Sequence, residues 1–240
     1  MKRALALLSL CVTTASAGAD PCPLPRGASP ALAEVPTEAR LAAVADGLDA
    51  AAGPASAWNW GWGLGFAVVG AAQLGTAPLF NERGRRIDFY VGGIKSIIAA
   101  LSVVVLPLKA PSLNRELRGL RAGRPADCAL LAEAEGLLSR SAAGERRGKG
   151  WLKHAMGIGY NVAFALVLGL GYDRWPSAGL SFATGVLVSE LQIFTQPTRS
   201  VRAWRKYLET GATPPAPTVS WAILPTLEGP GVSAFVAVQF

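Results

Sequence analysis

The sequence predicts a mainly α-helical integral membrane protein: four spanning helices in two helical hairpins, closed by a short C-terminal β-hairpin. Three observations carry that expectation. Half of the 240 residues are apolar and only 16% are charged, well under the roughly 25% charged residues of an ordinary soluble domain. The mean hydropathy is +0.32. The apolar residues gather into four runs, each near the ~20 residues a helix needs to cross a hydrocarbon core.

The first 17 residues read as a secretory signal peptide. Lys2 and Arg3 precede the apolar core Ala4 to Val12, and Ala15-Ser16-Ala17 is a small-x-small cleavage site. Residues 18–54 form an exported N-terminal segment. Leu41, Val44 and Leu48 recur at helical spacing within it, which predicts a short amphipathic helix. Cys11 leaves with the signal, so Cys22 and Cys128 remain as an even pair in an oxidising compartment. They are the candidate disulfide, with two unpaired cysteines as the alternative.

Residues 55–108 predict the first hairpin: an uncharged run from Ala55 to Phe80, the turn NERGRRID, then Ile87 to Leu108 with Asp88 and Lys95 inside it. Residues 151–197 predict the second: Trp151 to Tyr172, the turn DRWP, then Trp175 to Phe194 with Glu190 inside it. Such short turns imply antiparallel neighbours. Trp58, Trp60, Trp62, Trp151, Tyr172 and Trp175 lie near the run ends, where aromatic rings favour the headgroup layer. Small residues at four-residue spacing mark candidate packing faces: Gly61 and Gly65, Gly92 and Ser96, Gly159 and Ala163, Gly185 and Ser189. Helices in lipid gain contacts where small residues let backbones approach.

Between the hairpins, residues 109–150 form a polar connecting segment. Leu130, Leu131, Ala134, Leu137 and Leu138 share one helical face there, suited to lie on the membrane or the hairpins, or to dock a partner. Residues 198–240 read as a polar linker and a terminal β-hairpin turning at Glu228-Gly229-Pro230-Gly231.

Two features pull against one another. A cleaved signal puts the mature N-terminus outside, and four spans then put Lys109 to Lys153 outside as well. That stretch holds ten of the 23 Lys and Arg residues, whereas basic loops normally stay in the cytoplasm. The tail adds an alternative fold, a small outer-membrane β-barrel, because Val232, Ala234, Val236, Val238 and Phe240 alternate as in a terminal barrel strand. Barrel strands should alternate apolar with polar, and SIIAALSVVVLPL does not. The segments WNWGW, GERRGKGWLKH and GVLVSELQIFTQP, with the tail ending in Phe, give a layout that resembles uncharacterised bacterial envelope proteins with a signal peptide and two hydrophobic hairpins. The resemblance implies an envelope location and no particular activity.

Glu190 is the residue that asks for explanation, since an ionisable group within a span normally faces protein and finds a partner. Three readings stand: a carboxylate near the interface, an ion pair with Lys95, or an intramembrane polar site of Lys95, Glu190, Gln73, Asn161 and Gln192 that handles protons or cations. His154 is the sole histidine and reads as an interface residue. No catalytic, cofactor or metal motif appears in its required context. The net charge of +7 sits between oily runs, without the motifs of nucleic-acid binding. The expectation is a non-enzymatic structural or assembly subunit of the bacterial cell envelope. It needs no cofactor, lies in the lipid bilayer of the inner or outer membrane, and has a protein partner or a second copy of itself beside it. The alternatives are a small proton- or ion-coupled transporter or channel subunit, and the barrel.

Overall fold

Helix α1 runs unbroken from Thr37 to Thr76, about 60 Å at 1.5 Å per residue. It joins what the sequence divides into a short amphipathic helix and a first hydrophobic run. This is a computed structural model, and it describes residues 22–210, 218–225 and 232–239. The signal segment 1–17, the turn at 228–231 and Phe240 lie outside the described residues. Pro54 sits inside α1. Proline has no N–H to give the carbonyl four residues back, and the Arg199 guanidinium donates to that carbonyl, Ala50 O, at 3.2 Å. A side chain from another helix thus replaces the missing bond, and α1 continues.

The other helices are α2 (Arg83–Val105), α3 (Ala110–Arg121), α4 (Cys128–Gly148), α5 (Trp151–Tyr172), α6 (Trp175–Phe194) and α7 (Arg199–Thr210). The fold is mainly helical, which overturns the barrel alternative: the long apolar runs lack the alternation a barrel strand requires, and they close their backbone bonds within helices. Beyond α7, Thr218–Pro225 and Val232–Gln239 are extended and run antiparallel, with Trp221 opposite Val236.

The chain builds a head and a stalk. In the head, Leu41, Val44 and Leu48 of α1 are buried against Leu113 and Leu117 of α3, Leu130, Leu131, Leu137 and Leu138 of α4, and Trp204 and Tyr207 of α7. The apolar face of α4 is therefore spent inside the head, not on a membrane or the hairpins. Helix α7 falls within the predicted polar linker, and its Ala203, Trp204 and Tyr207 stripe supplies one wall of the core. The Cys22–Cys128 disulfide, with Cα atoms 5.2 Å apart, ties the N-terminal segment to the first turn of α4. Asp127 caps that helix by accepting from Leu130 N at 2.7 Å.

The stalk pairs the lower half of α1 with α2, and α5 with α6. Three helical stretches, Arg83–Arg121, Trp151–Tyr172 and Trp175–Thr210, contain windows long and apolar enough to cross a membrane; their apolar parts are α2, α5 and α6. Large apolar side chains point outward along them, among them Val104, Leu170, Leu180 and Phe194. Exposed apolar surface on this scale marks a membrane location. The sequence reading counts four such runs. The lower half of α1 falls short on hydropathy because Asn59, Gln73 and its tryptophans and glycines dilute the aliphatic residues.

Candidate functional site

Both turns of the stalk lie at the end far from the head. Arg174, in the α5–α6 turn, donates to both oxygens of Asp88 on α2, at 2.8 and 2.6 Å. Ser177 Oγ also donates to Asp88 at 2.9 Å. Asp173 adopts the left-handed conformation at the C-cap of α5 (φ 53°), which turns Arg174 back so that its N–H bonds Leu168 O at 3.0 Å. This clasp joins the hairpins at their tips. The sequence marks Asp88 only as an interruption, and nothing in the spacing names its partner.

Lys95 lies near the midpoint of α2. Its ammonium donates to Ser181 O at 3.0 Å and to Ser181 Oγ at 3.4 Å, both on α6. Tyr160 of α5 donates to Lys95 O at 2.6 Å. Glu190 is not its partner. The Glu190 carboxylate meets His154 Nδ1 at 2.7 Å, within the second hairpin and close to the head. The Lys95–Glu190 ion pair, one of the three readings of Glu190, is not formed: Lys95 is half-way down the stalk, and Glu190 is a turn from the head end of α6. Antiparallel geometry explains the actual pairing, since His154 lies within one turn of the start of α5 and Glu190 about one turn from the end of α6.

Four of the five residues singled out as a polar site, Lys95, Gln73, Asn161 and Gln192, do line one cleft of about 710 Å³ between the hairpins. Lys95 is the one charged residue among its lining side chains. Trp58 and Trp62 roof it at the head end, donating to Gln192 O at 3.3 Å and Thr195 Oγ1 at 3.1 Å. Asn161 is buried; its amide donates to Gly157 O at 2.8 Å and Ser189 Oγ at 3.1 Å, while its Oδ1 has no partner. Gly185 makes this possible. A side chain there would collide with the Asn161 amide and the Lys95 ammonium.

The small-residue faces divide. A Cβ at Gly61, Gly65 or Gly159 would meet open space, and Ala163 is exposed; these positions make no close helix contact. Gly92 is covered by the Gln73 amide, and Ser96 donates weakly to it at 3.5 Å. Gly185 and Ser189 do sit on a contact, where Ser189 meets Gly157 and Asn161. A close backbone approach in the first hairpin lies elsewhere, at Gly70 and Gly93. A Cβ on either would come 3.1 Å from the carbonyl oxygen of the other. Neither was legible as special in a chain with glycine throughout its apolar runs.

Among the described residues, no group of three His, Cys, Asp or Glu side chains is placed to hold a metal ion. Compared with protein-family models, with curated proteins and with solved structures, the chain matches none.

Proposed function

We propose that this chain is a non-enzymatic integral membrane protein of the bacterial cell envelope, a structural or assembly subunit that displays a disulfide-stapled helical head at the membrane surface. In this reading the lower half of α1 is a fourth span, the signal segment exports the head, and a terminal β-hairpin follows α7. The observation that carries it is the continuity of α1: the helix that forms a wall of the head core also forms one arm of the first hairpin. Head and stalk are therefore held as one unit, a geometry suited to presenting a surface at a fixed height.

The disulfide supports a head on the oxidising side. The basic residues of Lys109 to Gly150 then belong to a folded domain, while the short turns at the far end carry Arg83, Arg85, Arg86 and Arg174. Short-loop basic residues govern orientation most strongly, so the far end is assigned to the cytoplasm and the membrane to the inner one. An impermeant maleimide tests this with Gly136→Cys on the head and Asn81→Cys at the far turn. Gly136→Cys should label from the periplasm and Asn81→Cys only after lysis; the reverse pattern would overturn the topology. Photo-crosslinking from exposed head positions then tests assembly. Native migration as a lone chain with no crosslinked product would sink the subunit reading.

One observation favours a second reading, a small transporter or channel subunit: the cleft around Lys95. With no carboxylate among its lining residues, it suits an anionic solute better than a proton or a cation. Lys95→Gln should then alter anion flux in vesicles at unchanged protein level, and unchanged flux would remove this reading.

A further inference from the structure

A second cleft, of about 560 Å³, lies where the head meets the stalk, between the end of α2, the start of α3, the end of α4 and the start of α5. Its charged lining is lopsided. Lys109, Arg140, Arg147 and Lys153 face it, against Glu145 as its one acid. Glu145 is buried, and its two carboxylate oxygens already accept from the backbone of Ser200 at 3.2 Å and Val201 at 3.0 Å. Arg140 makes only an exposed 3.4 Å contact with Glu116. Lys109, Arg147 and Lys153 are exposed, and none of them enters an ion pair among the described residues.

Below this basic rim the lining turns apolar. Leu106 and Met156 are 69% and 58% exposed, and they continue into the outward-facing aliphatic surface of α2 and α5. Trp151, itself exposed, marks the same level at the start of α5, where an indole favours the headgroup layer. Two helices begin here, α3 and α5, and neither has a side-chain cap. Their positive dipole ends add potential to the same place, although Pro111 carries no N–H and the Lys153 N–H already bonds Gly150 O at 2.9 Å.

We propose that this junction cleft binds the head group of an acidic phospholipid, with the phosphate held by Lys109, Arg147 and Lys153 and one acyl chain lying on Leu106 and Met156. The charge selects an anion. The apolar floor, continuous with the lipid-facing stalk, selects an anion that carries a chain over a free one. The depth is that of a headgroup, which the mid-stalk Lys95 cleft does not share. The proposal rests on the membrane location and goes beyond the subunit reading, since a site-bound lipid would seat the head on its leaflet whatever partner the head engages.

Native mass spectrometry of the full chain in detergent tests it. Phosphatidylglycerol and phosphatidylcholine of the same acyl chains are titrated separately. Each basic group beside an acidic lipid contributes roughly fivefold. The wild-type chain should therefore retain phosphatidylglycerol about tenfold to a hundredfold more strongly, and Lys109→Gln/Arg147→Gln/Lys153→Gln should erase the difference. Those side chains are all on the surface, so folding should survive, and an unchanged thermal transition checks this. Arg115→Gln/Arg118→Gln/Arg121→Gln removes three exposed charges elsewhere on the head and should leave the preference intact. Equal retention of the two lipids by the wild-type chain would overturn the proposal, as annular lipid only. Equal loss in both triple variants would also overturn it, because diffuse charge would then suffice. Equal retention by a wild-type chain that nonetheless stays in the membrane fraction would be failure of this proposal alone, whereas a chain absent from that fraction would fail the membrane reading.

Discussion

Arg40 and Glu135 form an ion pair at 2.6 Å in the head core, with side chains only 2% and 9% exposed. Each nitrogen of the guanidinium has an acceptor: Nε donates to Tyr207 Oη at 3.1 Å, and the terminal nitrogens reach the carbonyls of Cys22 and Pro23 at 3.2 Å. Tyr207 in turn donates to Glu135, and burial raises its phenol pKa well above the ordinary value. The cluster joins α1, α4, α7 and the N-terminal segment beside the disulfide.

Removing one charge of such a pair leaves the other desolvated and alone, which costs about 3–5 kcal/mol. Arg40→Ala is therefore expected to lower the thermal transition of the detergent-solubilised protein sharply. Replacing the whole cluster by apolar groups of similar size, Arg40→Met with Glu135→Leu and Tyr207→Phe, should recover more than half of that loss. A triple variant as unstable as Arg40→Ala would show that the charges stabilise the head in their own right.

The disulfide spans a sequence separation of 106 residues, and the first hairpin lies within that loop. Closing a long loop restricts the unfolded chain, and loss of such a bridge typically costs about 2–5 kcal/mol. Cys22→Ser/Cys128→Ser should shift thermal unfolding by that amount. The wild-type chain should migrate faster on a non-reducing gel than on a reducing one. Identical migration would mean the two thiols are not joined.

Glu145 carries a pH dependence whose sign follows from its burial. Desolvation raises its pKa, partly offset by bonds from Ser200 and Val201 and by the charge of Arg202. A carboxyl whose folded pKa is raised binds more protons in the folded state than in the unfolded one. Its favourable contribution is complete below the ordinary value of 4.5 and is lost as pH rises through the raised folded value. Glu145→Gln should flatten that decline in thermal stability above about pH 4.5. A decline of the same slope in the variant would assign it to other groups.

The legible parts of the molecule were those that one helix's periodicity can reveal. Leu41, Val44 and Leu48, and the Leu130 to Leu138 face, show their common side by spacing alone, and all are buried. Contacts between helices were much less legible. Which of many glycines meets a backbone depends on register and rotation across the hairpin, and neither is written in one strand of sequence. Gly61 and Gly65 have the spacing, while Gly70 and Gly93 have the contact. Helix α7 was hidden by composition, since its three core residues are surrounded by Arg, Lys and Glu.

That contrast predicts opposite outcomes at glycines of one helix pair. A Cβ at Gly93 would stand 2.6 Å from Leu74 Cγ and 3.1 Å from Gly70 O. Gly93→Val is expected to force α1 and α2 apart at about 1–3 kcal/mol or more. A Cβ at Gly61 meets nothing within 4 Å, so Gly61→Val should be tolerated. Thermal stability in detergent, with crosslinking between cysteines placed on α1 and α2, reads both. Equal tolerance at the two sites would show that the hairpin does not pack at Gly70 and Gly93.

Glu190 supplies the last prediction, because the sequence invites pairing it with Lys95 and the structure pairs it with His154. The two arrangements differ in which double variants couple. Residues that share no partner add to within roughly 0.5 kcal/mol, so Lys95→Gln/Glu190→Gln should equal the sum of its single changes in thermal stability. His154→Gln/Glu190→Gln should fall short of its sum, since either single change already breaks the 2.7 Å contact. The far clasp serves as a reference: Asp88→Asn and Arg174→Gln break one bidentate pair and should couple strongly. Coupling between Lys95 and Glu190, with none between His154 and Glu190, would require the second hairpin to be turned about its axis relative to the first. It would also return the carboxylate to the Lys95 cleft, and with it the case for a proton- or cation-handling site.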